Sequence, residues 1–143
     1  MNRNSEIRYP TRIAILLTCH NRKPLTDRCL NSIFNNIPKR AIIDVYLVDD
    51  GCTDGTSEMI RIKYPAVKLL HGDGNLFWNR GMHRAFSEAV KGDYEYYLWI
   101  NDDDLLYDGF LDKMLKTHEM LAMNNKKVIL AGVMTDSSEK IQT

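Results

Sequence analysis

The sequence predicts an α/β fold, a mostly parallel sheet with helices on both faces. Three observations carry that prediction. Apolar strand-like runs alternate with amphipathic helical patterns along the chain. The segments that follow the first four runs are all polar. One of those runs, Tyr96-Tyr97-Leu98-Trp99-Ile100, ends abruptly in Asn101-Asp102-Asp103-Asp104.

Taken in order, Arg12 to Thr18 reads as a buried first strand. Pro24 opens a helix with apolar positions Leu25, Cys29, Leu30, Ile33 and Phe34, which must stop before Pro38. Ile42 to Val48 is the second strand. Gly51-Cys52-Thr53-Asp54-Gly55 is turn chemistry, with Thr53 or Asp54 available to cap a helix carrying Met59, Ile60 and Ile62. Val67 to Leu70 is a short third strand, and His71 to Asn75 a loop. A helix over about Asn79 to Val90 places Met82, Ala85, Phe86 and Ala89 on one face, with Gly92 where a C-terminal cap is expected. Tyr96 to Ile100 is the fourth strand. A helix from about Asp108 to Met123 follows, and Val128 to Met134 is the expected fifth strand. In a parallel sheet, ligands bind at the carboxyl ends of the strands. Four segments should therefore open on one edge: Thr18 to Arg22, Asp49 to Gly51, Gly72 to Asn75 and Asn101 to Asp104.

A chain of 143 residues is one domain by length, and 44% hydrophobic with 27% charged residues is the composition of an ordinary globular protein. Lys+Arg and Asp+Glu balance at 19 each, which leaves no electrostatic footprint for nucleic acid. No apolar run approaches the roughly 20 residues that span a bilayer, and the first residues lack the apolar stretch of a signal peptide. The expected location is cytoplasmic, or peripheral at the inner face of the membrane. Cys19, Cys29 and Cys52 match no zinc spacing, and an odd count closes no disulfide set, so reduced, partly buried thiols are expected.

Three adjacent carboxylates repel one another and call for a cation. Hard oxygen donors of this kind suit Mg²⁺ or Mn²⁺, although a solvated turn or a helix cap would also account for them. Asp49 and Asp50 end a strand before Gly51, where carboxylates can accept hydrogen bonds from a base or from ribose; a simple turn is the alternative. In Gly72 to Gly81, the glycines permit close approach of a ligand, and Arg80 at a helix start could contact phosphate. Phe77 and Trp78 could equally dock that loop on the core. His20, His71, His83 and His118 have no ligand spacing. Neither a P-loop nor a dinucleotide-binding glycine fingerprint is present.

In this order the motifs resemble the family 2 glycosyltransferases, which have the GT-A fold, a Rossmann-like arrangement. Ile13 to Arg22 is similar to that family's opening strand and Thr-x-x-Asn-Arg turn. Val48 to Thr56 is similar to its Val-Asp-Asp-Gly-Ser-Thr-Asp-Gly-Thr signature, with Cys52 in the serine place. Asn79-x-Gly81 with Ala85 is similar to its Asn-x-Gly-x-x-x-Ala segment, and Leu98 to Phe110 to its Asp-x-Asp region. Gly72 to Trp78 further resembles the rhamnosyltransferase-like members. The resemblance implies that Thr18, Asn21 and Arg22 lie along the nucleotide and that Asp50 contacts the base while Asp49 supports the turn. Asn79, Arg80 and Gly81 would lie near the donor sugar or diphosphate. Asp103 would be the principal metal contact, with Asp102 or Asp104 assisting; the first Asp-x-Asp position aligns with Asn101, so the register of the ligands stays open.

The resemblance also implies a nucleotide-diphosphate sugar donor, a saccharide or lipid-linked acceptor and an inverting transfer. Residues 1–11 would be a tail, residues 12–135 the donor-binding half-domain, and residues 136–143 a polar tail. Nothing in that tail is a candidate for the acceptor's base, so a truncated, donor-binding part that turns over poorly is expected. The rival readings are a sugar nucleotidyltransferase and a non-catalytic nucleotide-binding module. The first is weakened by the absence of glycine from Thr18 to Arg22. A sheet cut short would expose an edge, so self-association is expected.

Overall fold

The computed structural model describes residues 10–123 and 127–135. Strands and helices alternate as β1 (Thr11–Cys19), α1 (Lys23–Phe34), β2 (Ala41–Asp50), α2 (Thr56–Lys63), β3 (Lys68–Gly72), α3 (Phe77–Ala89), β4 (Tyr96–Trp99) and α4 (Phe110–Ala122). Among the described residues the sheet runs β3-β2-β1-β4, and every neighbouring pair is parallel.

The two-residue period of the central strands divides the core. Ile13, Ile15 and Leu17 of β1 and Val45 and Leu47 of β2 face one side, with Cys29, Leu30 and Ile33 of α1, Met59 and Ile60 of α2, and Leu111 and Leu115 of α4. Ala14, Leu16, Tyr46 and Val48 face the other side, against Met82, Ala85 and Ala89 of α3. Alanine on both the strand and the helix keeps that second layer thin. Each fully buried Ile or Leu contributes about 1.5–3 kcal/mol.

The chain steps outward from β1 to β2 to β3, then returns through α3 to place β4 on the other side of β1. The direction of winding reverses at β1, and because α1 and α4 share one core the segments leaving β1 and β4 run side by side on that face, leaving a crevice at the carboxyl ends of this strand pair. The crevice between them is where such sheets bind ligands.

One expectation needs correction. Residues 128–134 form no strand among the described residues. Ile129, Val133 and Met134 are exposed. The segment passes Phe110, whose ring would lie 3.2 Å from a Cβ placed on Gly132, and Tyr107 and Thr135 share a hydroxyl hydrogen bond of 3.0 Å. An apolar run becomes a strand only where a ladder accepts it, and this one lies away from the sheet. α2 carries Met59, Ile60 and Ile62 as expected; the first two are buried and Ile62 is 72% exposed.

On the α3 side, Asp44 accepts the Tyr94 hydroxyl and pairs with Lys68 at 3.2 Å, while Lys68 lies 4.7 Å from the Tyr46 ring centre. Burial raises the Asp44 carboxyl, but the hydrogen bonds from Tyr94 and Lys68 together hold it below its ordinary value. A carboxylate lowered on folding adds stability above the unfolded value of about 3.9, and loses it as pH falls through the lower folded value. The Asp44→Asn variant should therefore be less stable than the parent near pH 6, with the gap closing at acid pH. Urea midpoints measured across that range check it; a gap independent of pH would exclude the linkage.

Candidate functional site

The segments leaving β1, β2 and β3 are tied into one surface. Asn21 takes the left-handed conformation at φ +50°, which asparagine tolerates. Its side-chain oxygen accepts the Thr53 N–H at 2.7 Å, and its own N–H points to the Cys52 sulfur at 3.2 Å. His20 donates from Nδ1 to the Asp50 carbonyl oxygen at 2.5 Å. Asp49 accepts the Cys52 N–H at 2.7 Å and the Ser57 hydroxyl, joining the turn to the first turn of α2. Asp54 accepts the Lys23 N–H at 2.9 Å and the Thr56 N–H at 3.1 Å, so one carboxylate serves the N-termini of both α1 and α2.

Asp50 is buried, and its carboxylate is the centre of the β3–α3 loop. One oxygen accepts the Gly74 N–H at 2.8 Å; the other accepts the N–H groups of Leu76 and Phe77, each at 3.0 Å. The loop can wrap so tightly because of its glycines. A Cβ on Gly51, at φ +67°, would meet the Gly74 nitrogen at 2.8 Å, and one on Gly72 would strike Asp50 itself. The close approach read from Gly72-Asp73-Gly74 is thus an approach to the end of β2.

Across the crevice, residues distant in sequence meet. Arg22 donates from one nitrogen to Asp102 at 3.0 Å and from the other to Asp103. Asp102 is buried, with its second oxygen 3.3 Å from the Thr26 hydroxyl, which in turn lies 3.1 Å from the Arg22 carbonyl oxygen. Burial pushes the Asp102 carboxyl above its ordinary value, partly offset by the Arg22 charge. The Asp103 side chain is 41% exposed, beside Arg22. Asp104 accepts the Asn101 N–H at 2.9 Å and closes the turn. Asn101 in turn accepts the Trp78 indole N–H at 3.0 Å. Two of the three aspartates, Asp102 and Asp103, thus share the guanidinium of Arg22 as a counter-charge.

The remaining sequence-selected residues divide between buried and exposed positions. Thr18 is buried, and its hydroxyl lies 3.4 Å from the Val48 carbonyl oxygen. Gly81 is buried directly against it; a Cβ there would come within 2.8 Å of the Thr18 Cβ, so glycine is what lets α3 rest on β1. Asn79 and Arg80 are exposed on the first turn of α3. The three cysteines are free; burial first of all pushes the thiols of Cys29 to about 12 and Cys52 to about 11, and raises Cys19 further, so all three are protonated at neutral pH. Sequence reasoning passed over Thr26, while His20, which has no ligand spacing, takes a structural place on the Asp50 carbonyl. A threonine one turn after Arg22 on a helix's apolar face was the available signal for Thr26.

Among the described residues, no group of three or more His, Cys, Asp or Glu side chains could hold a metal by itself, and no helix is long and apolar enough to cross a membrane. Asp103 and Asp104 offer hard oxygen donors at the crevice mouth. Such a pair suits an ion whose other ligands are phosphate oxygens and water.

Comparison with known proteins agrees with this architecture. TarS of S. aureus, residues 1–349, superimposes with a TM-score of 0.63 at 18% identity, over 77% of this chain and 33% of that one. Its complex with UDP-GlcNAc gives 0.60 at 19% identity, over 77% and 32%. The mannosyltransferase PcManGT from Pyrobaculum calidifontis, in complex with GDP-Man and Mn²⁺, gives 0.60 at 24% identity, over 80% and 33%. The chain thus spans about a third of the length of these structures, and the likeness is one of fold, the GT-A fold. No curated protein sequence matches it significantly. The family described as Glycosyl transferase family 2 matches residues 14–139, nearly the whole chain, and the chain belongs to that family.

Proposed function

We propose that this chain binds the donor of a glycosyl transfer, a nucleotide-diphosphate sugar, at the β1/β4 crevice, and that the whole protein passes the sugar to a hydroxyl acceptor with inversion. The observation that carries this reading is the meeting of Arg22 with Asp102 and Asp103 at the reversal of winding. In this reading the nucleotide lies along Asn21 and Arg22, and Asn79 and Arg80 border the diphosphate or the sugar; the direct contacts expected of Asp50, Thr18 and Gly81 give way to supporting roles, since Asp50 is buried with its carboxylate taken by three loop N–H groups and Thr18 and Gly81 are buried against each other. Asp103 and Asp104 hold Mg²⁺ or Mn²⁺, and Asp102 orients Arg22. When bound, the ion supplies Lewis-acid neutralisation of charge on the departing nucleoside diphosphate.

The chain's own residues do the rest of the donor's work. Arg22 brings a fixed positive charge to the crevice mouth, and Asp102, buried beneath it, sets its direction. The guanidinium's planar fork is suited to a phosphate oxygen. The greater length of the structural relatives supports placing the acceptor, a saccharide or a lipid-linked one, and its base outside the matched third. Without them this chain would bind donor and turn over poorly. The resemblance of the Gly72 to Trp78 stretch to rhamnosyltransferase-like members supports a hexose or a deoxyhexose such as rhamnose as the sugar.

Calorimetric titration with UDP, GDP and dTDP, with and without Mn²⁺, tests the reading. One nucleotide is expected to bind with an affinity that rises with Mn²⁺, and Asp103→Ala should abolish the metal-dependent part. No metal-dependent binding of any of the three would overturn it.

A further inference from the structure

Two large aromatic rings stand half in water beside the acidic turn. Trp78, on the first turn of α3, is 52% exposed, and Trp99, the last residue of β4, is 47% exposed. Their ring centres lie 6.2 Å apart. Behind them Phe86 is 6.0 Å from Trp99 and 5.3 Å from Tyr97, which backs the shelf with buried or half-buried rings. The Trp78 indole is held in place by its N–H bond to Asn101, whose own N–H is bound by Asp104. The shelf is therefore mechanically continuous with the aspartates.

We propose that Trp78 and Trp99 form the subsite for the donor's sugar ring, an assignment that rests on the donor-binding reading above. A ligand for this place must offer an apolar face to indole and hydroxyls to the polar groups of the adjoining turn. A pyranose does both: its axial C–H face suits an aromatic plane, and its hydroxyl edge suits acceptors such as Asp103 and Asp104. A purely apolar partner would leave the carboxylates unmatched, and a purely ionic one would leave the rings in water. A diphosphate that reached Asp103 and Asp104 through a divalent ion would have its sugar on the adjoining bond, on the side of a ring that is tied to Asp104 through a single asparagine. Rings fixed in advance by hydrogen bonding and stacking lose little entropy on binding.

The chain contains two tryptophans, and both are in the shelf, so indole emission reports on this subsite alone. The full chain is titrated, with Mn²⁺, with UDP and UDP-GlcNAc, with GDP and GDP-Man, with dTDP and dTDP-rhamnose, and with free GlcNAc, mannose and rhamnose. Emission and calorimetric affinity are read together. The nucleotide sugar that matches the site is expected to shift emission and to bind about three- to tenfold more tightly than its own diphosphate. In Trp78→Ala that increment is lost while affinity for the diphosphate is kept; Trp78→Phe, which keeps a ring, retains part of it. If a diphosphate binds but its sugar adds neither affinity nor an emission change, the shelf assignment falls and the donor-binding reading stands. A response to free sugar without any response to the nucleotide sugars moves the rings to the acceptor and overturns the donor assignment. Emission that changes with protein concentration and not with ligand makes the shelf a face for a second copy. Binding of no nucleotide at all overturns both readings.

Discussion

Replacing Arg22 by alanine is expected to cost about 2 kcal/mol, toward the low side of what removing one partner of a buried ion pair costs, because the arginine is partly exposed. For a chain of this size that corresponds to a Tm lower by about 6–8 °C. The burden falls on Asp102, which is buried and keeps only the Thr26 hydroxyl once the guanidinium is gone. Asp103, at 41% exposure, is screened by water and loses little. A double variant, Arg22→Ala with Asp102→Asn, separates lost charge from lost packing: it should recover most of the stability, since the stranded anion is removed with its partner. Chemical denaturation of the four proteins in the cycle gives the coupling energy. A coupling near zero would show that Asp102 needs no counter-charge, and would remove the electrostatic basis of the crevice.

The second large effect is at Asp50. Asp50→Ala leaves the N–H groups of Gly74, Leu76 and Phe77 without their acceptor, at about 1 kcal/mol for each bond, or about 3 kcal/mol together. Asp50→Asn preserves shape but turns an amide donor toward N–H donors, and should lose about 2 kcal/mol. Amide exchange of Gly74, Leu76 and Phe77 should accelerate in both variants, ahead of amides in β1 and β2. Because this loop leads directly into Trp78, Asn79 and Arg80, nucleotide-sugar binding should weaken with it. Native exchange rates at these amides in Asp50→Asn would mean that the loop holds itself.

These two residues mark where sequence reasoning is strong and where it stops. The strand-like runs at Arg12 to Thr18 and Ile42 to Val48 were legible because burial on two faces follows a local period, and the structure extends both by only a residue or two at each end. The helical spacing of Cys29, Leu30 and Ile33, and of Met82, Ala85 and Ala89, was equally local, and those residues are buried. The four polar strand ends gather at one edge because parallel strands share a direction. Val128 to Met134 had the composition of a strand and lies outside the sheet, since pairing is a property of the neighbour as much as of the run.

The amino-acid sequence by itself determined the α/β alternation, the family and the carboxylates that end β2 and follow β4. Periodicity and turn chemistry act over a few residues, and they are written where they act. Only the tertiary structure decided what each charge faces. Arg22 and Asp102 are 80 residues apart, and they meet because β4 lies beside β1 rather than beside β3. The same strand order gives Asp102 and Asp103 a shared counter-charge in Arg22, and places Trp78 and Trp99 against the turn that carries these aspartates. A strand order is settled by the packing of whole layers, which no local pattern contains.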